Sequence, residues 1–323
     1  MTVLHGRTAT LRAGFEASYR NPGTTPQEQV LKFSTMEIGQ EAVLEDDPTI
    51  NANPLAEKRT EMDSTASATV NAIICLNEIG VWLKLLLGAP VTSGPGPLYT
   101  HTFTLNLAER PSAWFEVAVG EGGDTRLQRY LGIMLNTISW DVMANAQSFS
   151  AQLMGAVEVK PQPTTPLDST PSARQAKRQT CTKRATIYDV AGAGNTLGKI
   201  SACTIQWSND LTPYSLADGQ EGTGVVTLGQ PSVTGTIGGL LENGTLFDHA
   251  LGHASKKLVI VQGDSSGTRS MTTTIQNIEF DRPKLQINTS KGLVVEGLPW
   301  RAHHVTGAAA VTVTLVNDVP AYP

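Results

Sequence analysis

Six histidines, three cysteines and 29 carboxylates are the groups in this 323-residue chain that could carry chemistry. His249 and His253 stand four residues apart in a short apolar stretch, the spacing of two metal ligands on one helix face. No glutamate lies between them, and Asp248 and Lys256 mark the solvated end of a helix instead. His303 and His304 follow one another in a strand and must point to opposite faces. His101 shares a strand face with Phe103 and reads as a packed histidine. Cys75, Cys181 and Cys203 are odd in number and form no Cys-x-x-Cys or Cys/His pair at metal spacing. They read as free thiols of a reducing compartment, with Cys75 a small core residue between Ile74 and Leu76. The acids Glu45, Asp46, Asp47, Glu57, Glu61 and Asp63 cluster, but not at the spacing of a calcium loop. Paired-carboxylate hydrolysis needs its acids on ordered strands facing one cleft, and these lie in the least regular stretch of the chain. Gly-rich GEGG (120–123) and GAGN (192–195) have no following helix and read as hairpin turns. No nucleophile elbow, phosphate loop or zincin motif occurs. The expectation is a protein that is not an enzyme and takes no cofactor or metal.

Composition narrows the class further. Hydrophobic residues make up 40% and charged residues 16%, against ~25% charged in ordinary domains. Ser, Thr, Gly, Val and Ala fill the difference, a balance that favours strands and turns. A surface poor in Lys and Glu also suits burial against other subunits. The net charge of −5 and the absence of a basic tract argue against a protein that grips nucleic acid. The one basic cluster, Arg174 to Arg184, lies in Pro/Thr/Ser-rich sequence and reads as solvated. Val81 to Ala89 is too short to cross a membrane and the first residues resemble no signal peptide, so the expected site of synthesis is the cytoplasm.

Alternating patterns place strands in residues 1–20 (through Thr8, Thr10 and Arg12), Val30–Ile38, Ser67–Leu76, Tyr99–Leu107, Ser112–Val119, Arg129–Trp140 and Ser148–Val157. A further set covers Arg184–Val190, Leu197–Ser208, Val225–Leu228, Ser232–Leu241, Lys257–Gln262, Met271–Phe280, Gly292–His303 and Ala309–Val316. Between Ile38 and Ala66 runs a long polar stretch with two prolines and several acids. It reads either as a mobile surface loop or as an arm that orders against a neighbouring subunit. Glu78–Gly88 reads as an amphipathic helix that buries one face through Trp82, Leu83 and Leu86. Residues 161–180 form a Pro/Thr/Ser-rich linker between a first domain at 1–160 and a second at 181–323.

The two halves repeat one another. SATVNAIICLNEIGVWLKLLLGA from Ser67 and SVTGTIGGLLENGTLFDHALGH from Ser232 both pass from a Ser-x-Thr strand through an Asn/Glu step and a Gly to an apolar helix ending at Leu-Gly. The offset is about 164 residues, far longer than a solenoid unit of ~20–50 residues. Leu246, Phe247 and Leu251 are then the second-half counterparts of the first helix's packing residues. The ends match too. Trp140-Asp141 and Phe280-Asp281 each precede a turn and a Ser-bearing strand, reaching Gly155 and Gly297.

These pieces together resemble the tail tube proteins of bacteriophages with long non-contractile tails. The likeness is carried by PLAEKRTEMDS (54–64), LLLGAP (85–90), YTHTFTL (99–105), RYLGIMLNTISW (129–140), KISACTIQWSND (199–210) and the second Ser-x-Thr segment. It implies a mainly β fold: two tandem β-sandwich or partial-barrel units, each with one short helix. It implies a virion tail protein, assembled in the host bacterial cytoplasm. Its subunits form rings whose inner strands join around a lumen, and the rings stack. The lumen would hold a tape-measure protein and later conduct phage DNA without specific binding. Tail terminator and distal tail proteins would be further partners, with no membrane contact. Duplication predicts three chains per pseudo-hexameric ring, with six chains as the alternative. The stretch carrying Glu45, Asp46, Asp47, Glu57, Lys58, Arg59, Glu61 and Asp63 is the expected inter-ring arm. A tail terminator, a minor β-sandwich virion protein and a carbohydrate-binding sandwich are the competing readings. The last needs an aromatic platform, and the five tryptophans are scattered through both halves.

Overall fold

The computed structural model describes residues 8–45, 60–105, 110–120, 126–144, 147–172, 180–189, 199–216, 222–240, 251–253, 255–281, 294–304, 306–307 and 309–322. The first half carries β1 (Thr10–Phe15), β2 (Gln29–Leu31), β3 (Thr35–Glu45), β4 (Thr60–Ile73), helix α1 (Ile79–Leu87), β5 (Val91–Ser93), β6 (Tyr99–Thr104), β7 (Ala113–Val119), β8 (Arg126–Asp141), β9 (Ser148–Gly155) and β10 (Val157–Glu158). The second carries β11 (Thr182–Asp189), β12 (Lys199–Ser208), β13 (Leu211–Tyr214), β14 (Val225–Leu228), β15 (Ser232–Leu240), β16 (Lys256–Gly263), β17 (Ser270–Phe280), β18 (Val294–Ala302) and β19 (Val311–Asn317). The fold is mainly β, and the pairing between these strands is antiparallel throughout.

Each half is a sandwich, and the order of strands repeats. In the first half one layer runs β1–β7–β8–β10 and the other β3–β4–β9–β8. In the second half the layers run β11–β16–β17–β19 and β12–β15–β18–β17. β8 and β17 therefore serve both layers of their half. β8 changes layer at Gly132, whose φ of +67° suits glycine. The Gly132 N–H is held by the buried Glu16 carboxylate at 2.8 Å, and burial raises that carboxyl's pKa above its ordinary value.

Two pairings stitch the halves together. β12 pairs with the end of β8, and β19 pairs with β6. Apolar residues alternating along these strands meet in one continuous core that runs from Leu11 to Tyr322. The helix differs from the one-sided expectation: eight of its nine residues are buried, Trp82, Leu83 and Leu86 among them. The Trp82 ring meets Phe149 and Phe115 edge-on at 5.3 and 6.2 Å. On the other side the chain's last residues close over the helix. Lys84 Nζ donates to Tyr322 O at 3.0 Å, and burial lowers its pKa to about 8. Thus the second half supplies the lid of the first half's helix.

The expected strand Val30–Ile38 is two strands in different layers, β2 against β1 and β3 against β4. The break at Lys32–Ser34 has a physical cause. Lys32 N–H turns to the Glu78 carboxylate and Ser34 N–H to Asn71 O. The stretch expected to be irregular from Gly39 onward is instead a long hairpin, with β3 and β4 paired out to Glu45 and Thr60.

Residues 161–172 of the Pro/Thr/Ser-rich stretch lie across the first half. Leu167 N–H reaches the Glu116 carboxylate, Asp168 accepts Glu28 N–H at 3.1 Å, and Ser172 N–H donates to Glu28 O. Beneath them lie Glu28 and Glu116, both fully buried. Burial first, then the neighbouring Glu116 carboxyl, push the Glu28 pKa from 4.5 up to about 8; the Trp114 indole N–H and the Arg12 guanidinium act against the rise. A carboxyl whose pKa is raised by folding stabilises the fold below its ordinary pKa and loses that contribution as pH rises toward the folded value. The urea midpoint of the wild-type subunit should therefore fall between pH 5 and pH 8 more steeply than that of Glu28→Gln, which keeps the donor without the titration. Parallel curves for the two proteins would contradict the raised Glu28 pKa.

Candidate functional site: a polar sheet face with two open edges

Cross-strand registers carry one face of the molecule over eight strands, in the order β3–β4–β9–β8–β12–β15–β18–β17. One row across it reads Thr35, Asn71, Ser150, Ser139, Gln206, Thr234, Arg301, Glu279. The next reads Glu37, Thr69, Gln152, Thr137, Ser208 and Ser232. These side chains are exposed or half-exposed. They bond among themselves: Asn71 Nδ2 donates to Thr35 Oγ1 at 2.8 Å, and the Thr204 and Thr236 hydroxyls meet at 2.7 Å. Charge on these rows is sparse, with Arg301 opposite Glu279 and Glu37 at the far edge. Such a face offers hydroxyls and amides and little positive charge.

The reverse of the same strands is apolar. Ala72, Phe149, Trp140, Ile205, Gly235, Trp300 and Phe280 form the matching row, buried except at Gly235. Gly235 is where the backbones close up. A Cβ there would come within 2.1 Å of Thr204 O and 2.6 Å of the Trp300 ring. Ile205 and Trp207 of β12 are 1% and 0% exposed beside Trp140 and Ile138 of β8, so the seam between the halves is as dry as the core.

At either end the face stops on an open strand edge. Among the described residues β3 pairs with β4 alone, and β17 beyond Ile278 pairs with β18 alone. Met36 and Ile38 at the first edge are only half-buried.

Of the expected arm residues, Glu45, Glu61 and Asp63 lie on the β3–β4 hairpin, where Leu44 pairs Glu61 and Val43 pairs Asp63. Asp46, Asp47, Glu57, Lys58 and Arg59 lie outside the described residues. The second half has a shorter counterpart, the β13–β14 hairpin. Leu246 and Phe247 also fall outside the described residues, while Leu251 has helical backbone and is exposed. His101 is fully buried, its ring nitrogens bound to Thr92 Oγ1 and Val319 O. His253 contacts Glu279, and His249 is outside the described set. No cluster of metal-ligating side chains occurs among the described residues. The equivalence of Gly155 with Gly297 does not hold, because the registers align Phe149, opposite Trp140, with Trp300, opposite Phe280.

A family model for phage tail tube proteins matches residues 6–302. The chain belongs to that family. A search of curated proteins finds no match. As a phage tail tube protein it is a structural component of the virion tail that assembles with copies of itself into a tube. No helix among the described residues is long and apolar enough to cross a membrane. The polar face and its open edges are the parts of this tail tube protein that sequence reasoning missed. Their signal was present as two-residue alternation, Thr137-Ile138-Ser139-Trp140 and Thr204-Ile205-Gln206-Trp207, but not which strands stand side by side.

The close approach at the seam can be tested on the subunit. Gly235→Ala should cost about 1–3 kcal/mol or more by overpacking. Gly39→Ala, with nothing within 4 Å of its new Cβ, should change little. Equal denaturation midpoints for the two variants would refute the crowding at Gly235.

Proposed function

We propose that this chain is the repeating subunit of the tail tube, and that its eight-strand polar face lines the lumen. The observation that carries the reading is the composition of that face: hydroxyls and amides in register across both halves, with no lysine in the rows. Duplex DNA is held by Lys and Arg contacts to phosphate, so a conduit that releases DNA should carry few of them; the one arginine of these rows, Arg301, stands opposite Glu279. A lining of this kind supports transit of phage DNA without specific binding. It equally supports storage of a tape-measure protein before ejection.

The repeated strand order supports two tube units per chain, residues 1–160 and 181–323, joined by 161–180. Three chains then make a pseudo-hexameric ring; six chains remain the alternative. Three chains with eight lining strands each give a barrel of 24 strands. At ~4.8 Å between strands and ~40° of tilt, its backbone diameter is on the order of 50 Å, wider than a DNA duplex. The stretch that carries Glu45, Asp46, Asp47, Glu57, Lys58, Arg59, Glu61 and Asp63 contacts the next ring. Assembly takes place in the host bacterial cytoplasm, and the tube's ends meet the tail terminator and distal tail proteins.

Electron microscopy of the purified protein should give tubes whose averaged rings contain three chains; rings of six whole chains would overturn the trimer. Deletion of 48–57 should leave a folded subunit that no longer stacks into tubes. Undiminished polymerisation of that variant would remove the hairpin from the inter-ring contact.

A further inference from the structure

A second, smaller buried cluster lies outside the continuous core. Phe115 and Val117 of β7 belong to the core, so Glu116 between them points to the opposite face of the layer. Trp114 is 1% exposed, yet it too stands apart from the core residues. Its indole N–H donates to Glu28 Oε1 at 2.9 Å. Gly14 of β1 makes room for the ring: a Cβ there would come within 2.2 Å of it and 2.3 Å of Gln27 O.

Residues 161–172 cross this outer face as a strap, and none of them is buried. Four anchors hold it to one place. Thr165 O accepts from Arg129 Nη2 at 2.9 Å, Leu167 N–H donates to Glu116, Asp168 accepts Glu28 N–H, and Ser172 N–H donates to Glu28 O. All four end on Glu28, on Glu116 or on Arg129, the ion-pair partner of Glu116. A segment held by a few hydrogen bonds and no buried side chain opens at far lower cost than the core beneath it. The β12–β8 and β19–β6 pairings join the halves independently, so the strap can lift without parting them.

We propose that residues 161–172 are a proton-latched strap, shut while Glu28 carries its proton and lifting locally when that proton leaves. The charges facing Glu28 give the reason. They are Arg12 of β1, 3.8 Å from Glu28 Oε2, Glu116 of β7 with Arg129 of β8, and Asp168 of the strap itself. With Glu28 neutral, two carboxylates face two guanidiniums. Ionised, Glu28 adds a third negative charge in a site where its Oε2 has no hydrogen-bond partner among the described residues. Desolvation acts to raise the Asp168 pKa, but the N–H groups of Glu28 and Thr170 and the Thr170 hydroxyl outweigh it and hold that carboxyl below its ordinary value. Asp168 therefore stays charged while Glu28 titrates. This device belongs to the subunit and stands apart from the tube reading above.

The direction of the pH dependence follows. Under the closed strap, burial and then Glu116 raise the Glu28 pKa to about 8; once the strap lifts, water reaches the carboxyl and its pKa returns toward 4.5. Opening thus releases a proton between these values. Each pH unit in the interval favours the lifted strap by up to about tenfold, and above about pH 8, where Glu28 is ionised in both states, the dependence ends.

Hydrogen exchange of the full-length protein, read by mass spectrometry and corrected for the intrinsic pH dependence of amide exchange, tests the latch. Peptides over 161–172 should lose protection at least tenfold between pH 5 and pH 8 and then level off. They should exchange faster than β16 throughout. Dilute urea should speed β16 and leave the strap unchanged, because lifting exposes little surface. In Glu28→Gln the strap's protection should be flat over the same range. In Arg12→Gln the levelling should move to higher pH, since the cation that opposes the rise is gone. Wild-type strap protection that is flat from pH 5 to pH 8 would overturn the latch. So would a strap that exchanges at the rate and urea dependence of β16, which would mean it opens only with the whole fold. A Glu28→Gln strap that follows the wild-type profile would remove Glu28 as the carrier of the proton. If Glu28→Gln does not fold, the wild-type profile and Arg12→Gln decide, and levelling at an unchanged pH in Arg12→Gln counts against the latch.

Discussion

A β-strand presents hydrogen-bonding groups along both edges, and leaving a row of them bare inside a protein or in reach of another chain is costly. β8 meets this demand along both edges and in both layers. Its first part lies between β7 and β10, and its last part between β9 and β12. The change of layer needs one glycine at positive φ and one buried carboxylate to catch the freed N–H. From that crossing follow the sandwich of the first half, the seam to the second half and the continuity of the polar face. β17 repeats the device, with β16 and β19 flanking its start and β18 its end. Beyond Ile278, what β12 supplies to β8 has no counterpart beside β17 among the described residues.

Much of this was legible in the sequence because it depends on local period. Strands such as Ala113–Val119 and Lys256–Gly263 alternate visibly, and α1 carries Trp82, Leu83 and Leu86 at helical spacing. The repeat of strand order left a trace as well, since Trp140-Asp141 and Phe280-Asp281 stand at matching strand ends. Three features were not. The helix looked one-sided because the residues that cover its other flank, Asn317 to Tyr322, lie more than 200 positions away in sequence. The hairpin beyond Ile38 looked irregular because the inward positions of its second strand are the small Ser64 and Ala66, which show no large apolar alternation. The slip that equated Gly155 with Gly297 came from counting along the chain across segments of different length, where only pairing to a neighbour fixes the register.

Sheet twist and the helix divide the labour between the two faces. Trp140, Phe149, Trp300 and Phe280 must be large because they fill the space between layers, and Gly235 must be small because Trp300 lies over it. The opposite face has no such packing constraint. Its side chains need only remain hydrated, and Ser, Thr, Asn and Gln meet that requirement without adding charge. The low overall charge of the sequence is reflected in this face.

The differences between the halves follow the same logic. Where β3 and β4 run on as one ribbon to Glu45 and Thr60, the second half breaks the ribbon at Asp210, whose φ is +52°. The detached β13–β14 hairpin beyond that break bonds back through Asn136 Oδ1 to Leu211 N–H. That bond ties the second hairpin to the first half's β8, fixing it within the subunit, whereas the first hairpin extends from the open edge of its sheet. The two halves thereby present unequal hairpins, a long one continuous with its sheet and a short one detached from it.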